Sequence, residues 1–204
     1  MLKMKRIFDV TLSLVGLVVL FPVIVIVAIA IGLDSGFPIF YRAERAGMNN
    51  RPFRILKFRS MRTAGPEEGS HHSGDDDPRI TRIGRIMRRF KLDELPQLVN
   101  VAIGHMSLVG PRPETLDYVK LYEEDEMRIL SVRPGITDYA SIEFADLGST
   151  LAGGDPDKLY FEKVWKPKMA LRLKYVDERS FIGDLKIILL TLKAAVAPKR
   201  GAGN

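Results

Sequence analysis

The sequence predicts an α+β fold, predominantly helical, attached to a membrane near its N-terminal end. Three observations carry that expectation. From Val10 to Leu33 no residue is charged. Between Arg79 and Lys91, apolar Ile80, Ile83, Met87 and Phe90 recur at three- and four-residue spacing among Arg79, Arg82, Arg85, Arg88, Arg89 and Lys91, the period of an amphipathic helix with a basic stripe. Phe53-Arg54-Ile55-Leu56-Lys57-Phe58 partly alternates apolar and basic residues, the period of a strand.

The composition bounds the function. The chain has 204 residues, enough for one domain or one domain with a short appendage. It has no cysteine, which excludes a disulfide scaffold, thiolate zinc sites and a cysteine nucleophile. A hydrophobic fraction of 46% with 27% charged residues excludes global disorder. A net charge of +6 points to a polyanionic partner: nucleic acid, anionic lipid or a phosphorylated substrate.

As one straight helix, Val10–Leu33 would run about 36 Å, enough to cross a hydrocarbon core of about 30 Å. Pro22, near its middle, removes a backbone hydrogen bond and predicts a kink there. Lys3, Lys5 and Arg6 precede the segment, while Arg42, Arg45, Arg51, Arg54, Lys57 and Arg59 follow it. Basic flanks favour the cytoplasmic side, and a bent helix that enters and leaves by one leaflet satisfies both. A simple crossing stays open on the residues alone. A cleaved signal is disfavoured, because the stretch before Ala28-Ile29-Ala30 exceeds an h-region of about 7–15 residues.

Beyond the anchor, Phe37–Tyr41 and Phe53–Phe58 predict a small β element. Thr63–Pro78, with no large apolar residue and many Gly, Pro, Asp and Glu, predicts a surface loop. The basic helix over 79–91 suits an anionic membrane surface or phosphates; beside a membrane anchor, nucleic acid is not the expected partner. Further helices are expected at Thr115–Leu130, at Leu159–Glu178 with an interruption at Pro167, and at Leu185–Val196. The expected division is an anchor over 1–34 and a catalytic unit over 35–204.

The chemistry-bearing residues are acids and arginines. No phosphate-binding P-loop, dinucleotide fingerprint, zincin pair or nucleophile elbow occurs. His71, His72 and His105 are scattered and read as surface residues. Asp93 and Glu94 stand together after the basic helix, in Leu92-Asp93-Glu94-Leu95-Pro96-Gln97-Leu98. Asp93 suits an N-cap of the following helix, a role compatible with chemistry. Gly110-Pro111-Arg112-Pro113 holds one Arg between prolines, and Arg133-Pro134-Gly135 offers another in a turn. Arg binds phosphate bidentately, so paired carboxylates with fixed arginines suit divalent-metal-assisted chemistry on a phosphate ester.

These residues resemble the monotopic phosphoglycosyl transferases, also called bacterial sugar transferases. The resemblance runs from about Lys5 to Leu192. It rests on Lys5-Arg6-Ile7-Phe8-Asp9, Lys57-Phe58-Arg59-Ser60-Met61, LDELPQLVNV followed by MSLVGPRP, Arg133-Pro134-Gly135-Ile136-Thr137, and Asp184-Leu185-Lys186-Ile187-Ile188. His105 stands where the family often has Asp, and Asp138 where Gly often follows R-P-G-I-T; neither is expected to touch the acidic pair. With no further N-terminal membrane helices in the sequence, the resemblance is expected to be to the short forms.

The resemblance implies a re-entrant helix kinked at Pro22, amphipathic interfacial helices, and a catalytic unit on the cytoplasmic face of the bacterial inner membrane. It implies transfer of a sugar 1-phosphate from a UDP-sugar to polyprenyl (undecaprenyl) phosphate, giving polyprenyl diphosphate-sugar and UMP. Asp93 is then the nucleophile that carries a covalent phosphosugar, and Glu94 its partner, the two also holding Mg²⁺. Lys57, Arg59, Arg88, Arg112 and Arg133 are expected to bind substrate, and anionic lipid to meet the basic surface. The competing expectation is a membrane-anchored basic adaptor without catalysis.

Overall fold

The computed structural model describes residues 2–62, 77–145, 147–151 and 153–196. Most of the segment read as a surface loop, 63–76, lies outside the described residues, and His71 and His72 with it. The chain opens with two helices, α1 (Leu2–Val19) and α2 (Phe21–Ser35). Among the described residues no single helix is long and apolar enough to cross a membrane; α1 and α2 together are, bent by 61°. The bend falls at Leu20 (φ −88°, ψ 0°), two residues ahead of the expected Pro22. The proline ring disturbs the turn before it, while Pro22 itself sits in the first turn of α2, where its missing N–H costs nothing.

Both ends of this pair are tied to the same body. In α1, buried Asp9 accepts from Ser107 Oγ at 2.8 Å and from the Leu108 N–H at 3.2 Å. Lys5 Nζ donates to the Val109 carbonyl at 3.1 Å and to Asp184 at 2.5 Å. At the end of α2, the Arg59 guanidinium donates to the carbonyls of Ser35 at 2.8 Å, Gly36 at 2.6 Å and Phe37 at 3.1 Å. Arg59 thereby closes the C-terminus of α2, where carbonyls lack intrahelical partners.

Strands β1 (Phe40–Ala46) and β2 (Pro52–Phe58) form an antiparallel hairpin in which Tyr41 pairs with Lys57 and Arg45 with Phe53. There follow α3 (Arg82–Phe90), α4 (Gln97–Ala102), β3 (Ser107–Val109), α5 (Leu116–Val119), β4 (Gly135–Thr137), α6 (Tyr139–Glu143), α7 (Leu147–Thr150), α8 (Pro156–Tyr160), α9 (Lys166–Glu178) and α10 (Phe181–Val196). The expected helix at 115–130 is two pieces, α5 and a 3-10 turn over Asp125–Ser131. Buried Glu126 accepts the Glu123 N–H at 2.9 Å and starts the second piece separately. Pro167 lies in the first turn of α9, and the π-helical turn Phe161–Trp165 before it absorbs the misfit.

Sequence patterning did not predict the parallel pair β3 and β4, which unites the two proline-flanked arginine segments. Gly110 N–H donates to the Thr137 carbonyl at 3.0 Å and Gly135 N–H to Pro111 at 3.0 Å. A Cβ on Gly135 would come within 2.1 Å of Gly110 N, so the approach requires glycine. Beneath the pair, Phe53, Ile55, Val101, Met106, Leu108, Val109, Tyr175 and Ile187 form one core; a second, aromatic core gathers Tyr118, Tyr160, Trp165 and Met169. Val27 and Ile31 of α2 pack with Phe58 and Met87, joining the bent pair to the hairpin and α3.

Candidate active site

The acidic pair sits on a tight connection between two helices. Helix α3 begins where Thr81 Oγ1 accepts the Gly84 N–H at 2.9 Å, an N-cap worth about 1 kcal/mol. It ends at Lys91, which adopts the left-handed region (φ 56°, ψ 23°) and returns its N–H to the Arg88 and Met87 carbonyls. A non-glycine residue there costs on the order of 1 kcal/mol. The chain then turns in one 3-10 turn, Leu92–Glu94, before α4. The expected N-cap role of Asp93 does not hold: Pro96 occupies the N-cap of α4, without a side-chain cap. Asp93 is left for other work.

The two carboxylates stand in opposite circumstances. Both oxygens of Glu94 are held by Arg112, Nη1 reaching Oε2 at 2.9 Å and Nη2 pairing with Oε1, while Lys57 Nζ lies 3.5 Å from Oε1. Burial alone would push Glu94 up, but Arg112 and Lys57 outweigh it and hold the carboxyl at about 2. Asp93 is only 8% exposed, and its Oδ1 has no hydrogen-bond partner. Burial first, and the neighbouring Glu94 charge second, push its carboxyl above the ordinary aspartate range. Lys57 is pushed down, by burial and then by Arg112. Four residues beyond Asp93, the Gln97 amide is fully buried with neither terminal atom hydrogen-bonded.

Arg112 is fixed from behind. Its N–H donates to Asp138 Oδ2 at 3.2 Å and its Nη1 also reaches the Ile136 carbonyl at 3.3 Å. Asp138, fully buried, caps α6 by accepting the Ser141 N–H and hydroxyl, both at 2.6 Å. The expectation that Asp138 stays clear of the acidic pair therefore needs amending: it reaches Glu94 through Arg112. His105 stands apart, its ring 5.7 Å from that of Phe53.

A cavity of about 840 Å³ opens beside the pair, lined by Asp93, Glu94, Lys57, Arg88 and Arg112 among others. Arg59 reaches its wall while serving α2. Of the residues expected to bind substrate, Arg133 is placed elsewhere: it does not line the cavity, and its Nε donates to the Gly104 carbonyl at 3.1 Å. Two cavity residues that no motif announced are Arg45 and Tyr41; a cation and an aromatic in an ordinary strand carry no local signature.

Among the described residues no three acidic or histidine side chains gather as a metal cage. The donor set still fits Mg²⁺, which takes one or two carboxylates and completes its shell with water and substrate phosphate. Asp93 Oδ1 is the carboxylate oxygen of the pair that no protein donor occupies.

Comparison with known proteins shows the family. The bacterial sugar transferase family matches residues 1–198. The chain belongs to that family. Its members are transferases, and this chain is an enzyme of that class. It is 37% identical over 190 residues to an uncharacterized sugar transferase of Bacillus subtilis, covering 93% of this chain and 86% of that protein. It is 40% identical over 199 residues to the undecaprenyl-phosphate glucose phosphotransferase of Komagataeibacter xylinus, covering 94% of this chain and 36% of the relative. It is 36% identical over 192 residues to the UDP-glucose:undecaprenyl-phosphate glucose-1-phosphate transferase of Escherichia coli, covering 93% of this chain and 39% of the relative. The chain thus spans well under half the length of the latter two.

Proposed function

We propose that this transferase moves a sugar 1-phosphate from a UDP-sugar to undecaprenyl phosphate, through a phosphosugar carried on Asp93. The observation that carries the reading is the contrast within the acidic pair. Glu94 is fully paired, whereas Asp93 presents a buried oxygen without a donor beside a cavity rich in cations. A carboxylate needs no base to attack phosphorus once ionised. The Asp93 oxygen forms a bond to the sugar-bearing phosphorus as the bond to the bridging oxygen breaks, and UMP leaves with that electron pair. An oxygen of the lipid phosphate then attacks the same phosphorus, the Asp93 oxygen leaves as carboxylate, and polyprenyl diphosphate-sugar is released. Arg112 and Lys57 hold Glu94 ionised and in place, and Arg88 on the cavity wall meets incoming phosphate. Asp93 and Glu94 are the residues that would hold Mg²⁺, which would supply positive charge to offset repulsion between nucleophile and diphosphate. The names of the Komagataeibacter and Escherichia relatives support the donor and acceptor classes.

The same reading places residues 1–34 in the cytoplasmic leaflet as a re-entrant pair, with residues 35–204 on the membrane surface. Support comes from the attachment of both ends of the pair to one body, through Lys5 and Asp9 at the start and Arg59 at the end. Exposed Val18, Val19, Phe21, Ile26, Ile29 and Leu33 supply the apolar face.

The test is intact-protein mass after mixing with Mg²⁺ and a panel of UDP-sugars, without lipid. The expected result is an added sugar phosphate, absent from a folded Asp93→Asn variant. UMP release on adding polyprenyl phosphate, with no adduct at any time, overturns the covalent step alone. Neither adduct nor UMP overturns the whole reading.

A further inference from the structure

Among the described residues Arg45 is a cation of the cavity that forms no ion pair. It lies in β1 and lines the same cavity as Asp93, Lys57 and Arg112. The hairpin register sets Tyr41 and Arg45 on one face, with Tyr41 opposite Lys57. The following residue brings the strand to the Arg112 segment: Ala46 N–H donates to the Glu114 carbonyl at 2.9 Å. Arg45 stands close enough to Arg112 for the two charges to repel, and burial with that repulsion outweighs Tyr41 and Glu114 in lowering its pKa. Among the described residues its guanidinium donates only to the Glu44 carbonyl, at 2.9 Å, and forms no ion pair.

The charges around it do not balance. Lys57 and Arg112 share Glu94. Of the other acids nearby, Glu114 is taken by Lys168 at 2.7 Å and Arg172 at 2.9 Å, and Asp138 by the Arg112 N–H and Ser141. Arg45, Lys57 and Arg112 therefore share one mouth in which Glu94 takes side-chain ion pairs from two of them and Asp138 meets Arg112 through its backbone N–H, while Arg45 has neither. A bound anion relieves repulsion among neighbouring cations, and a guanidinium takes phosphate by two parallel hydrogen bonds.

We infer that Arg45 binds the diphosphate of the nucleotide donor, on the side of the acidic pair that carries the leaving UMP. The inference rests on the proposed donor class and adds a residue and a position to it. Arg45 contributes charge that Lys57 and Arg112, committed to Glu94, do not. The lipid phosphate approaches from the bent helix pair, whose Leu20 lines the cavity together with Pro38 and Phe40, and depends on Arg45 far less.

Calorimetric titration of the full-length protein in detergent tests this, with UDP, uridine and a short-chain polyprenyl phosphate as separate probes. Arg45→Gln is expected to weaken UDP about tenfold to a hundredfold, the worth of a charge-assisted pair. Uridine and polyprenyl phosphate should bind the variant within about twofold of the parent. Arg45→Lys, which keeps the charge but loses the fork, should fall between them and serves alone if the Gln variant does not fold. UDP binding unchanged in either variant overturns the assignment while leaving the donor class standing. A loss confined to polyprenyl phosphate overturns it in favour of the lipid. A parent protein that binds no UDP overturns the donor class, and Arg45's role with it.

Discussion

Two largely buried glutamates in this chain each hold two cations, yet they do different work. Glu94 is gripped by Arg112 and Lys57; Glu114, two residues beyond Arg112, is gripped by Lys168 and Arg172. Both carboxyls lie far below the usual range despite burial, for the same electrostatic reason. The Glu114 cluster lies deeper, reaching the cavity only through Lys168. Arg172 is fully buried, Lys168 also donates to the Tyr160 hydroxyl at 2.5 Å, and that hydroxyl turns to Glu114 at 3.4 Å. The Glu94 cluster faces a cavity and has Asp93 beside it with an unpartnered oxygen. An ion triad thus acts as floor or as site according to what borders it, and Asp138 ties the two together, bonded to the Arg112 N–H and 3.8 Å from Arg172 Nε.

The comparison breaks first on stability. Glu114→Gln strands Lys168 and Arg172 in the interior, where water does not reach Arg172, and is expected to cost about 3–5 kcal/mol. A urea or thermal midpoint reads this directly. Turnover per folded molecule at low temperature should fall far less than the stability, and an unchanged midpoint would show the floor to be dispensable.

Glu94→Gln should sharpen the contrast, with a smaller stability loss and a larger change in chemistry. Lys57 and Arg112 lose their acid but keep access to water and phosphate through the cavity, so the loss should fall below that of Glu114→Gln. Turnover is expected to drop about tenfold to a hundredfold, as when a group that orients a metal site is removed. The pH profile carries the sign. Asp93 works ionised, and its folded pKa is raised, so the wild-type acid limb of kcat/KM lies above the ordinary aspartate range. Removing the Glu94 charge takes away one cause of that rise and leaves Lys57 and Arg112 free to favour ionised Asp93; the limb should move to lower pH. A limb that stays or rises would remove Asp93 from the rate equation. In stability the wild-type Glu94 carboxyl, depressed to about 2, contributes above its unfolded value of 4.5 and is lost between the two. The variant should lack that part of the acid transition.

Much of this site was legible because its signals are local. The two carboxylates, Arg88 and Arg112 lie in compact motifs, and the strand over 53–58 and the basic helix follow from periodicity. What escaped depends on distant partners. Strands of three residues such as β3 and β4 carry too little pattern to be seen, and only their pairing reveals why Gly110 and Gly135 lack side chains. Asp93 looked like an N-cap because nothing local announces that Lys91 takes a left-handed conformation and shifts the helix start to Pro96. Arg45 is one cation in a strand, conspicuous only once the fold brings it beside Arg112 with no ion pair among the described residues.

Arg133 is the reverse case, a residue whose rigid turn suggested substrate and whose folded partner is backbone. Its Nε meets the Gly104 carbonyl, while Arg6 takes the carbonyls of Val101 at 2.7 Å and Ala102 at 2.9 Å. Together the two arginines close the C-terminal end of α4, the helix that follows the acidic pair, where orphan carbonyls and the helix dipole favour cations. The arrangement is not without cost: burial and then the Arg133 charge push Arg6 down. Arg133→Gln therefore loses one hydrogen bond to a charged group but relieves a repulsion, and its net effect on stability should stay below about 1 kcal/mol. Because its side chain lies outside the cavity, KM for the nucleotide donor should change by less than about twofold, in contrast to Arg45→Gln. A tenfold rise in donor KM would return Arg133 to the substrate and require the end of α4 to open toward the cavity during turnover.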